Sequence, residues 1–225
     1  MAKTSSNLQS DGIYSELRRL IVRTEMKPGS LIEEAVVMER LKAGRTPLRE
    51  ALQRLVQDDL VRNVPRRGYF VTDTSAADVI HIFEVRRTLE RLSARLAAER
   101  ARPEHLREFE ELLREGEAGI KAGNTDLVWN LEVDEHMHLL LARASGNSYL
   151  LSSIARHYAL SIRVSYLSNM HMTLVSDEID AYRMLLEALK RRDADLAEKT
   201  MMQHLMDHPL STIPGMSVVA ESRAG

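Results

Sequence analysis

"GRTPLREALQRLVQDDLV" (residues 44–61) decides how this chain is read. Leu48, Ala51, Leu52, Leu55 and Val56 recur at the spacing of a helix that buries one face, over residues 46–57. Gly44, Arg45, Thr46 and Pro47 form a turn and a helix start. On the opposite side Arg45, Arg49 and Gln53 fall four apart, a stripe of hydrogen-bond donors with little acid among them. Alone, such a stripe is ordinary solvated surface. Its neighbours change its meaning.

Upstream, Ile13, Leu17, Leu20 and Ile21 predict a first helix over residues 10–25, and Pro28-Gly29 breaks it. A short second helix is expected over 33–41. Downstream, "LVRNVPRRGYFVT" places β-prone runs on both sides of Pro65-Arg66-Arg67-Gly68, a hairpin with a basic tip. Three helices followed by a hairpin is the order of a winged helix-turn-helix. In that motif the later helix of the pair enters the major groove with its N-terminal residues nearest the bases, where arginine can bond both acceptors of guanine. The candidate DNA contacts are therefore Arg45, Thr46, Arg49 and Gln53. Arg66, Arg67 and Gly68 would reach the backbone or minor groove from the wing, Gly68 permitting close approach.

Charge divides along the same line. Residues 1–75 carry 13 Lys and Arg against 10 Asp and Glu, while residues 76–225 carry 18 against 23. A basic first third on an acidic remainder suggests two modules, the first meeting a polyanion. There are no cysteines, which excludes disulfides and thiolate metal sites. The opening "MAKTSSNLQS" lacks the apolar run of a signal peptide, and no segment approaches the roughly 20 apolar residues that cross a bilayer. The expectation is a cytoplasmic protein with no membrane partner.

After a linker at 73–78 the pattern is helical throughout, with helices expected near 77–101, 103–121, 124–144, 147–170, 175–191 and 193–208. Short connections imply an antiparallel bundle over 77–210, with a flexible tail at 211–225. The fold expectation is mainly α: a winged helix-turn-helix over 1–72 with a small β-hairpin wing, then an antiparallel all-α helical bundle. Polar residues interrupt the inward stripes of that bundle. Arg86 falls among Val79, Ile82, Phe83 and Leu89. Asp134 and His138, one turn apart, face the same way as Leu127, Leu131 and Leu141. Tyr182 stands with Ile179, Leu186 and Leu189, and His204 with Ala197 and Met201. Buried without partners, Asp and His would cost several kcal/mol, so they pair with each other or coordinate something. An Asp and two His can present one oxygen and two nitrogens to a divalent metal, and Arg86 can grip the carboxylate of a small organic acid. A satisfied network holding no ligand remains the alternative. The other six histidines read as surface or packing residues.

The stretch "IYSELRRLIVRTEMKPGSLIEEAVVMERLKAGRTPLREALQRLVQDDLVRNVPRRGYFV" resembles the DNA-binding domain of the GntR family of bacterial transcription regulators. The Pro28-Gly29 turn, the "RTPLREAL" core and the "RRGYFV" wing carry the resemblance. It implies that Arg45, Thr46, Arg49 and Gly68 contact operator DNA. Ala35 stands where some members place a DNA-contacting arginine, and "LKAG" replaces the more usual "LGVS". "FEVRRTLERLSARLAA", "DEHMHLLLARASGN" and "AYRMLLEALKRRDADLAEKTMMQHL" resemble the FCD effector domain of the FadR subgroup. Many members hold a metal through an Asp and three His, which fall here on Asp134, His138 and His204. The remaining His is replaced by Tyr182, leaving three ligands for Zn, Ni or Mn, with water or an effector carboxylate to complete the shell. Arg86 matches the arginine that grips the effector, and Tyr182 is expected beside it.

These observations point to a ligand-responsive regulator, a repressor by the habit of its relatives. It would act as a homodimer on double-stranded operator DNA and sense a small organic acid. The competing readings are a helical-bundle metalloenzyme using Asp134, His138 and His204, and a nucleic-acid-binding scaffold with no effector. An enzyme would lack an evident nucleophile or nucleotide loop and would leave the winged helix unexplained.

Overall fold

The computed structural model describes residues 2–168 and 175–207, which divide into two units. The expected tail at 211–225, and His171 and His208, lie outside the described residues. The first unit holds the residues up to Ser75 together with Ile162–Ser168; the second begins at Ala76.

In the first unit the chain forms α1 (Ala2–Val22), α2 (Glu34–Leu41) and α3 (Arg45–Gln57), then strands β1 (Val61–Val64) and β2 (Gly68–Val71). Helix α1 starts eight residues before the expected position. The sequence there, "AKTSSN", has no apolar period, but extending an existing helix fixes one residue per added hydrogen bond and needs no new nucleus. The periodic part, Ile13, Leu17, Leu20 and Ile21, is buried against α3 through Leu48, Leu52 and Leu55. Helix α2 ends on Lys42 in the left-handed region, with Ala43 N donating to Met38 O at 2.9 Å. That tight stop lets α3 start at Arg45. The two strands pair antiparallel from Val61–Val71 to Val64–Gly68, and Leu31 adds a bridge to Phe70.

Residues 162–168, the last turns of α7 (Ser148–Ser168), cluster with this first unit. Arg163, fully buried, donates from Nη1 to Thr72 Oγ1 at 2.9 Å and from Nη2 to Thr72 O at 2.5 Å. Residue order alone gave no sign of this contribution.

The second unit comprises α4 (Ala76–Arg100), α5 (Pro103–Lys121), α6 (Leu127–Ala144), the first part of α7, α8 (Val175–Arg191) and α9 (Ala194–Asp207). Helix α4 packs most extensively on α9 because it offers small residues there. Ala94, Ala97, Ala98 and Ala101 meet a core that includes Ala197, Met201 and Leu205. Helix α6 starts at Leu127 rather than 124, since the Asp126 carboxylate accepts from Trp129 N at 2.9 Å and caps it. Gly119 on α5 is required by packing: a Cβ there would meet the Trp129 ring at 2.1 Å.

Candidate functional site

Helix α3 buries Pro47, Leu48, Ala51, Leu52 and Leu55, which turns Arg45, Thr46, Arg49 and Gln53 outward into solvent. No acid occupies its first turn, so the N-terminal end keeps its partial positive charge. Among the described residues Arg49 alone of these has an acidic partner, its Nε lying 3.2 Å from Glu34 Oε2 on α2. The wing tip is a tight turn closed by Arg67 N donating to Val64 O at 3.0 Å. Pro65 leads it and Arg66 follows at φ +62°, the position where a type II turn favours glycine. Gly68 follows at φ +97°, a backbone conformation that side chains rarely adopt, although a Cβ there would meet Leu31 only at an ordinary 3.5 Å. Arg66 and Arg67 are exposed, and the guanidiniums of Arg62 and Arg67 both lie over the Phe70 ring, at 5.8 and 5.7 Å. One unit thus presents a row of donors on a helix and a cationic hairpin stiffened by an aromatic ring.

The polar interruptions of the bundle converge. Asp134 Oδ1, His138 Nε2 and His204 Nε2 lie 3.2–3.5 Å from one another, all three residues buried. Tyr158 donates to Asp134 Oδ2 at 2.7 Å. Tyr182 OH lies 2.9 Å from Asp134 Oδ1 and 3.0 Å from Glu178 Oε2, its single proton serving one of them. The far side of His138 faces a second carboxylate, Nδ1 meeting Glu90 Oε2. Glu90 Oε1 accepts from Arg86 Nε at 2.5 Å, and Arg86 Nη1 donates to Ser161 Oγ at 2.8 Å. The Arg86 guanidinium lies between Tyr158 and Phe83, at 4.7 and 5.1 Å from their ring centres. Its Nη2 has no hydrogen-bond partner among the described residues.

Burial opposes every charge in this cluster, and partners outweigh it. Burial pushes Glu90 up, but Arg86 and then His138 bring its pKa down to about 2. Burial pushes His138 down, yet Glu90 and Asp134 lift it to about 9. Asp134 is held well below the carboxylate range against burial by His138 and His204. Tyr158 and Tyr182 are raised well above the phenol range, first by burial and then by Asp134. The phenols stay neutral donors to a carboxylate that stays ionised.

Sequence reasoning named Arg86, Asp134, His138, Tyr182 and His204, and the fold brings them into one connected cluster. It missed Glu90 and Tyr158. Glu90 stands four residues after Arg86 on the same helix, a spacing that flags an ion pair. Tyr158 offered no signal, because its role depends on α7 meeting α6.

Two family models match the chain: bacterial regulatory proteins of the gntR family over residues 9–71, and the FCD domain over residues 81–207. The chain belongs to the GntR family, with an FCD domain. Among curated proteins it is 30% identical over 195 residues to the HTH-type transcriptional repressor RspR of Escherichia coli K12, covering 87% of this chain and 85% of that one. It is 27% identical over 219 residues to the HTH-type transcriptional repressor GlaR of the same organism, covering 94% and 96%. Among solved structures it resembles E. coli McbR/YncC with a TM-score of 0.73, at 22% identity over 88% of this chain and 93% of that one. At that identity the likeness speaks for the fold. This GntR-family chain is a DNA-binding transcription regulator, and its relatives are regulators rather than enzymes. No helix among the described residues is long and apolar enough to cross a membrane.

Proposed function

We propose that this chain is a repressor that reads an operator through α3 and the wing and releases it when the helical unit binds a small organic acid. The observation that carries the reading is the α3 face: four donor side chains in solvent at the N-terminal half of a helix whose other face is fully buried. Arg45, Thr46, Arg49 and Gln53 contact base edges, and Arg66, Arg67 and Gly68 approach the adjacent backbone. A homodimer places two such heads on two half-sites.

In the helical unit, Asp134, His138 and His204 would hold a divalent metal, Zn, Ni or Mn. The three ligand atoms already lie 3.2–3.5 Å from one another, close enough for one small divalent cation to be shared among them. The Glu90 carboxylate on His138 Nδ1 is the partner that orients a metal-bound imidazole. Such a metal supplies a Lewis-acidic anchor for a carboxylate. Arg86 offers the effector its free Nη2, the remaining guanidinium nitrogens being engaged by Glu90 and Ser161, and Tyr182 offers its hydroxyl.

The test is a titration of Arg45→Ala and Arg49→Ala on DNA from the chain's own promoter region and on a scrambled duplex. Each substitution is expected to weaken operator binding by about 1–3 kcal/mol and to narrow the gap between the two duplexes. Wild-type affinity in both variants overturns the assignment.

A further inference from the structure

Helix α7 makes two kinds of attachment within a few residues. Tyr158 donates to Asp134 and Ser161 Oγ accepts from Arg86, so both belong to the polar cluster. Ser161 Oγ also donates to Tyr158 O at 2.8 Å, which binds the two together. Arg163, two residues on, turns away from the cluster and holds Thr72 instead. All three lie on one unbroken helix, Ser148–Ser168.

What Arg163 holds is the joint between α3 and the wing. Thr72 directly follows β2, its hydroxyl accepting from Arg163 and donating to Asp59 O at 2.7 Å. Its amide donates to Leu60 O at 3.1 Å, and Leu60 N donates back to Leu55 O on α3 at 3.0 Å. Between them Asp59, at φ +59°, turns the chain out of α3 toward β1. These bonds tie Thr72 to the C-terminal end of the helix that carries Arg45, Arg49 and Gln53.

Arg163 cannot give up Thr72 lightly. It is fully buried, and among the described residues no carboxylate is in ion-pair contact with it. Burial pulls its pKa down, and the charge of Asp73 offsets that only in part. Its bonds go to a neutral hydroxyl and a carbonyl, and its Nε has no partner among the described residues. Letting go of Thr72 would strand a buried guanidinium, which is costly, so the last turns of α7 and Thr72 move together.

We propose that Arg163 is the positioning residue through which the state of the Asp134 cluster reaches α3 and the wing. A ligand that competes for Asp134 or Arg86 loosens the hold of the cluster on Tyr158 and Ser161, and Arg163 passes that change to Thr72. The inference rests on the reading of the helical unit as the ligand sensor and adds the route by which it acts.

A double-mutant cycle on operator affinity tests it without any ligand. Tyr158→Phe removes the donation to Asp134, and Arg163→Met removes both bonds to Thr72 while keeping an apolar chain of similar length. Each is expected to weaken operator binding about fivefold or more, and the double variant to bind no worse than the worse single. Arg163→Lys, which keeps a cationic donor for Thr72 O, recovers part of the loss. Amide exchange at Leu60 and Thr72 reads the joint directly. Tyr158→Phe speeds it in the otherwise wild-type chain and leaves it unchanged beside Arg163→Met. Should Arg163→Met fail to fold, Thr72→Val takes its place in the cycle, deleting the shared hydroxyl at a half-buried position. Losses that multiply in the double variant overturn the Arg163 route alone and leave the sensor reading standing. Operator affinity indifferent to Tyr158→Phe overturns both, since the cluster is then not felt at the DNA.

Discussion

On α3, Arg49 stands in solvent and meets Glu34 at 3.2 Å; on α4, Arg86 is buried and meets Glu90 at 2.5 Å. The residue types are the same and the energetics are opposite. In water a separated pair is nearly as well solvated as a joined one, so the Arg49–Glu34 contact fixes little and the arginine is free to leave for a phosphate or a base. In the core neither partner of Arg86–Glu90 can turn to water: Arg86 has Glu90 and Ser161, Glu90 has Arg86 and His138, and losing either leaves a buried charge short of its partner. The α3 face proposed to read DNA is built for exchange of partners, and the Asp134 cluster for keeping them.

Removing one buried partner gives the sharpest break in this contrast. Glu90→Gln keeps the shape of the side chain but leaves Arg86 without its anion and His138 with Asp134 alone. A loss of about 3–5 kcal/mol in denaturant unfolding is expected. A loss under 1 kcal/mol, judged against that same range, would mean the cluster is wetter than its burial indicates.

A smaller effect follows from acid and base. His138 moves from 6.5 to about 9 on folding, so its ion pairs stabilise fully below pH 6.5 and fade as pH rises through 9. Glu90 moves the other way, from 4.5 to about 2, and its contribution is present above pH 4.5 and lost toward 2. The metal-free chain should therefore lose on the order of 1–3 kcal/mol between pH 6.5 and 9. Bound metal should reverse that slope, because its ligands must be deprotonated. Thermal melts across this range, with chelator and with added zinc, check both signs. A flat profile in chelator refutes the charged state of His138.

The least effect belongs to the surface pair. Glu34→Ala should change unfolding free energy by less than about 1 kcal/mol while freeing Arg49. Operator affinity is then unchanged or slightly higher. A stability loss as large as that of Glu90→Gln would erase the distinction between the two regions.

How legible each region was in the sequence follows from the range of its interactions. The α3 face is local: thirteen consecutive residues at helical period determine which side is buried and which carries Arg45, Arg49 and Gln53. The wing is local too, since its turn needs only Pro65-Arg66-Arg67-Gly68. Asp134 and His138 were visible as a pair because one helix turn joins them. The boundary of α1 was not legible, because propagation along an existing helix leaves no apolar signature.

The amino-acid order by itself determined a winged helix-turn-helix, a helical second unit, and the inward placement of Arg86, Asp134, His138, Tyr182 and His204. Periodicity and turn chemistry act over a few residues, and those suffice for that much. Tertiary structure alone decided that Glu90 reaches His138 from 48 positions away and that Tyr158 and Tyr182 share Asp134. Each of these depends on which helix packs against which, and that is settled by the burial of whole faces rather than by any single stretch of sequence.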